Sequence, residues 1–134
     1  MKIGRSQDIL DLYDWLPGHG ESGVKVKAEG TELRVVVAFD GATGTSERTL
    51  RFSSVFSFCM QAFPGPSMLE PGDAETAALL RGVLVEYPES DVAKAWQGHF
   101  SGLHDVRHYS VAFLAENLLL VVLAENVSVN GRPD

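Results

Sequence analysis

The chain has 134 residues, 45% of them hydrophobic and 22% charged, with a mean hydropathy close to zero. That composition excludes disordered and fibrous classes, and a single domain over 1–134 of this size hides roughly two thirds of its unfolded surface without disulfides or a structural metal. Eleven Lys and Arg against eighteen Asp and Glu give a net charge of −7, which argues against a nucleic-acid partner, because affinity for phosphates comes from clustered cations.

The first eight residues, Met1 to Asp8, carry two cations but no apolar stretch of signal-peptide length. The longest unbroken apolar run, Leu118 to Ala124, has seven residues, against the roughly 18 needed to span a bilayer. It reads as a buried strand. A single Cys59 makes no intramolecular disulfide, which fits a reducing compartment. The expectation is a cytoplasmic protein with no membrane association.

In chain order, Ile9, Leu10, Tyr13 and Leu16 stand at helical spacing and predict a helix over Ser6–Leu16, capped by Ser6 and ended by Pro17-Gly18. Val24 and Val26 alternate with Lys25 and Lys27, and Leu33, Val35, Val37 and Phe39 alternate after the Glu29-Gly30 turn, which predicts a β-hairpin. A turn at 40–44 leads into a long strand in which Leu50, Phe52, Phe56 and Phe58 are expected on one face. The stretch 63–72 holds three prolines and two glycines and predicts a loop. A short helix follows from Asp73 to Leu80, and then an extended run through Val83, Leu84 and Val85.

Ser90 is placed to cap a second helix whose stripe is Val92, Trp96 and Phe100, with Asp91 in the first turn and Gly102 past the end. Tyr109, Val111 and Phe113 alternate with His108, Ser110 and Ala112, and a turn at Glu116-Asn117 leads into Leu118–Ala124. That last run is apolar on both faces and predicts a central strand. The triplet Ala-Glu-Asn occurs at 115–117 and again at 124–126 and is read as two turns. The fold class expected from these elements is α+β, a mostly antiparallel sheet of five or six strands with two or three helices packed on it.

Residue types able to carry chemistry are few. His99, His104 and His108 stand five and four residues apart around a helix-to-strand junction, with Asp105 beside them. Imidazoles ligate metals and move protons near neutral pH, so these three form the candidate metal or small-ligand region. Loop and helix-end positions explain them without a ligand, and that is the preferred reading. Asp8, Asp11 and Asp14 recur every third residue, a period that spreads carboxylates over a helix face instead of converging them. Cys59 has no CxxC partner, and Ser53, Ser54 and Ser57 lie outside any nucleophile elbow. The glycines at 18, 20, 23, 41 and 44 do not open a helix as phosphate loops do. No catalytic residue and no cofactor are expected.

Charge is distributed unevenly. Residues 1–67 hold seven cations and eight acids, whereas residues 68–134 hold four cations and ten acids. Glu70, Asp73, Glu75, Glu86, Glu89 and Asp91 make a candidate acidic surface able to steer a basic partner, with Tyr87 and Trp96 as its aromatic anchors.

The segment Glu89–Trp96, followed by Arg107–Phe113 and then Leu118–Ala124, resembles a pattern in small bacterial proteins of uncharacterised role, some of them similar to immunity proteins of toxin systems. In that pattern a Trp-bearing helix precedes a His-Tyr strand, a turn and an apolar strand ending in Ala. The likeness covers about the last third of the chain. The family strand after the turn usually carries an acid near its end, where this sequence has Leu and Val throughout. The resemblance implies a non-enzymatic, immunity-like module that binds a basic protein, and it carries no catalytic residues with it. The alternative is a small-ligand or metal-binding protein built on His99, His104 and His108. A homodimer through an uncovered sheet edge is a third possibility.

Overall fold

One antiparallel sheet organises the computed structural model, which describes residues 2–17, 20–63 and 80–130. Its strands are β1 (Gln7–Asp11), β2 (Glu21–Glu29), β3 (Glu32–Gly41), β4 (Gly44–Ala62), β5 (Val83–Glu86), β6 (Arg107–Phe113) and β7 (Leu118–Val129). They lie side by side in the order β1-β5-β6-β7-β4-β3-β2. The helices among the described residues are α1 (Leu12–Trp15), α2 (Asp91–His99) and a 3-10 turn at Leu114–Glu116. The fold is therefore mainly β, and the expectation of an α+β protein with two or three packed helices is corrected.

The correction begins at the N-terminus. Gln7–Asp11 is a strand and not part of a helix, because it pairs with β5, Leu10 opposite Leu84 and Asp11 opposite Val83. Ladder bonds and burial of Leu10 outweigh a helical spacing worth only tenths of a kcal/mol per residue. Only Leu12–Trp15 remains helical, and its cap is Asp11, whose carboxylate accepts the Tyr13 N–H at 2.9 Å. The helix expected over 73–80 falls, except for Leu80, outside the described residues, as do most of the loop at 63–72 and the acids Glu70, Asp73 and Glu75.

In the hairpins and the central strand, pattern and structure agree. β2 and β3 form the hairpin through Gly30, and β3 and β4 the next one, closing Gly41 against Gly44. β7 is flanked by β6 and β4 at the middle of the sheet, as its two apolar faces require. The second Ala-Glu-Asn triplet is not a turn: Ala124 pairs with Val55 and Asn126 with Ser53, and β7 runs on to Val129.

One face of the sheet holds the main core. Leu33, Val35, Val37 and Phe39 of β3, Leu50 and Phe52 of β4, Tyr109, Val111 and Phe113 of β6, and Leu120 and Val122 of β7 meet there with Leu12, Trp15 and Leu16 from α1. Trp15 is fully buried, and its indole Nε1 donates to the Asn130 carbonyl at 2.8 Å, tying α1 to the end of β7. Glu21 at the start of β2 is buried and accepts the Ala115 N–H at 2.8 Å, which brings one end of the sheet order to the β6–β7 connection. The expected single face of Leu50, Phe52, Phe56 and Phe58 is broken. Ser54 takes a left-handed backbone (φ 54) and the register with β7 shifts between Val55 and Ser57, so Phe56 leaves the core and meets α2.

Candidate functional site

The C-terminal end of α2 builds the largest group of partly exposed aromatic side chains among the described residues. Trp96 and Phe100 are one helical turn apart, with ring centroids 6.2 Å from each other. Phe56, displaced by the bulge, lies 5.9 Å from Trp96, 5.2 Å from Phe100 and 5.4 Å from His104. His99 stands edge-on to Phe100 at 4.9 Å. Trp96, Phe56, Phe100 and His104 are each half-buried, and Leu103 in the following loop is 83% exposed. Partly exposed rings in contact present a large apolar area held with few rotatable bonds.

Acids stand at the other end of the same helix. Glu89 and Asp91 are exposed, and Asp91 sits five residues before Trp96, about 7.5 Å of helix rise. Asp91 also anchors the N-terminal segment: its carboxylate accepts the Lys2 N–H at 3.0 Å while its own N–H donates to the Lys2 carbonyl at 2.9 Å. Glu86 is less free, because Arg107 lies 3.7 Å from it and holds Asp105 at 3.0 Å. The hydrogen bond to Asp105 raises the Arg107 pKa further, so this cation is always charged. Tyr87 is 1% exposed, its ring 4.8 Å from His108. It packs the interior and offers no side chain to a partner.

The three histidines do not converge. His104 Nδ1 donates to Glu125 at 3.1 Å, on β7, and that carboxylate also accepts the Asp105 N–H. His99 is exposed beside Trp96 and Phe100. His108 is fully buried on β6, with Nδ1 2.7 Å from Ser90 Oγ. Among the described residues no group of three or more His, Cys, Asp or Glu is arranged to hold a metal ion. The four- and five-residue spacings fall across a helix end, a loop and a strand, which aim the imidazoles at different neighbours.

Ser90 and His108 form a polar pair that sequence spacing did not link. Ser90 Oγ accepts the Ala93 N–H at 3.2 Å as the cap of α2 and lies within hydrogen-bond distance of His108 Nδ1. The other ring nitrogen, Nε2, has no hydrogen-bond partner. Burial lowers the His108 pKa from 6.5 to about 4. The pair is no nucleophile and base: Ser90 is fully buried, beyond reach of any substrate. Its chemistry is to fix α2 on the sheet.

No helix among the described residues is long and apolar enough to cross a membrane. No protein-family model, curated protein or solved structure matches the chain.

Proposed function

We propose that the protein is a non-enzymatic binding module that docks a basic protein, as an immunity protein does a cationic toxin. The observation that carries this reading is the layout of α2, with the half-exposed cluster of Trp96, Phe56 and Phe100 at one end and exposed Glu89 and Asp91 at the other. Aromatic anchors supply contact energy, and carboxylates beside them steer and orient a cationic partner. The net charge of −7 adds long-range attraction for such a partner. The pair Ser90 and His108 holds α2 in place, so the surface is formed before the partner arrives.

The test is affinity purification from the native cells, identification of the retained protein, and titration calorimetry with that protein purified. Trp96→Ala is expected to weaken binding by about 2 kcal/mol, roughly thirtyfold. Glu89→Lys with Asp91→Lys is expected to slow association and to remove most of its salt dependence. Recovery of no partner, or a partner whose binding ignores both variants, overturns the reading.

A further inference from the structure

Among the described residues, the second half of β4 is an edge. Beyond Phe52, which pairs with Leu33, no residue of β3 continues alongside β4, and residues 55–62 are paired with β7 alone among the described strands. The Val55 N–H still reaches the Thr31 carbonyl at 2.8 Å, where the β2–β3 turn crosses the strand. From Phe56 to Ala62 one side of the backbone faces no described strand. A groove of about 290 Å³ opens at its start, lined by Gly30, Glu32, Leu33, Phe56, Ser57 and Phe58.

This edge differs in composition from the other two. β1 carries Asp8 and Asp11, and β2 carries Glu21, Lys25, Lys27 and Glu29, the charges by which proteins keep edges from pairing. The run Phe56-Ser57-Phe58-Cys59-Met60-Gln61-Ala62 holds no charge and no proline. Phe58 and Met60 are 41% and 48% exposed. They pair with Val122 and Leu120 of the core face, so they extend that apolar face to its rim.

We infer that the β4 edge over 56–62 is the interface of a homodimer, in which two copies pair edge to edge, antiparallel, about a two-fold axis at Cys59. An uncharged strand offers nothing to select a foreign acidic or basic strand, whereas antiparallel pairing with itself satisfies the two-fold automatically. The Phe63 N–H donates to Asn117 on the β7 side. Backbone groups alternate along a strand, so those of Phe58, Met60 and Ala62 point to the side that faces no described strand. Centring the axis on Cys59 then joins Phe58 of each copy to Met60 of the other by ladder hydrogen bonds and covers both exposed side chains with an aromatic–sulfur contact. The two Cys59 residues fall on a non-hydrogen-bonded pair with Cα atoms about 4.5 Å apart, inside the roughly 4.4–6.8 Å that a disulfide spans.

The full chain is tested by sedimentation equilibrium at about 0.05 M and about 0.5 M NaCl, where the shorter Debye length screens the repulsion between two acidic copies. A dimer that tightens with salt is expected, the opposite sign to docking of a basic partner. Oxidation by a small-molecule disulfide, itself reduced to two thiols, is expected to convert it to a disulfide-linked dimer, and Cys59→Ser to abolish that product without dissociating the dimer. Met60→Lys, on an exposed side chain, is expected to give a folded monomer. Ser57→Lys, also exposed, repeats the experiment on the opposite face of the strand. A monomer at both salt concentrations overturns the proposal, and so does a dimer that both lysine variants leave intact. A dimer broken by the lysines that forms no Cys59 disulfide overturns the register centred on Cys59.

Discussion

Ser90 Oγ lies 2.7 Å from His108 Nδ1, so the residue that caps α2 is held by a buried histidine of β6. The contact joins the helix that carries Trp96 to the middle of the sheet, and both partners are fully buried. Two consequences can be measured.

The first is a pH dependence. His108 titrates near 6.5 in the unfolded chain and near 4 in the folded one, because burial disfavours the imidazolium. Between those values the unfolded state binds one more proton, so stability that is complete above pH 6.5 is lost as the pH falls toward 4. The shift corresponds to about 3 kcal/mol. Urea unfolding at neutral pH and at a pH just above the folded-state value is expected to show that loss in the wild type and a smaller one in His108→Gln. Equal losses in both proteins would exclude His108 as the source.

The second concerns the cap. Ser90→Ala removes the acceptor for the Ala93 N–H and leaves His108 Nδ1 buried without its hydrogen-bond partner. Loss of the cap costs about 1 kcal/mol, and the orphaned ring nitrogen about 1–3 kcal/mol more. Thermal unfolding is expected to fall accordingly, with less α2 protection in amide exchange. A change below the cap contribution alone would mean that the histidine finds another hydrogen-bond partner.

Gly20 and Gly30 both have positive φ, +88° and +60°, but a Cβ at Gly20 would stand 2.9 Å from Tyr13 Cε1, whereas one at Gly30 meets nothing within 4 Å. Gly30→Ala is expected to cost about 1 kcal/mol in backbone strain. Gly20→Ala is expected to cost more, and combining it with Tyr13→Ala to recover the excess, as a double-mutant cycle measures. Additive effects would place the penalty in the backbone alone.

Glu21 is 5% exposed and accepts the Ala115 N–H at 2.8 Å. Glu21→Ala is expected to destabilise by about 2 kcal/mol because it leaves that N–H unpaired beside the β6–β7 connection. Glu21→Gln keeps an acceptor and is expected to lose less. Chemical denaturation of the two variants checks the order, and a reversed order would refute the role of this bond.

Legibility followed the range of the forces involved. The hairpins of β2 to β4 and of β6 to β7 were readable because alternation and turn residues act between neighbours in the chain, and the Ser90 cap and Trp96 stripe of α2 were readable for the same reason. Gln7–Asp11 was not, since its spacing favours a helix until β5 supplies a partner more than seventy residues away. The displacement of Phe56 was equally hidden, because Ser54 gives no glycine signal for its left-handed backbone.

By itself, then, the sequence determined an acidic chain dominated by antiparallel hairpins, with an aromatic stripe on a capped helix. Only the tertiary structure decided that the first segment is a strand and that Tyr87 is interior. It alone separated the three histidines and, among the described residues, left an uncharged stretch of β4 on an edge. Each of those outcomes depends on contacts between distant segments, and burial and strand pairing across such distances outweigh the local preferences that a sequence displays.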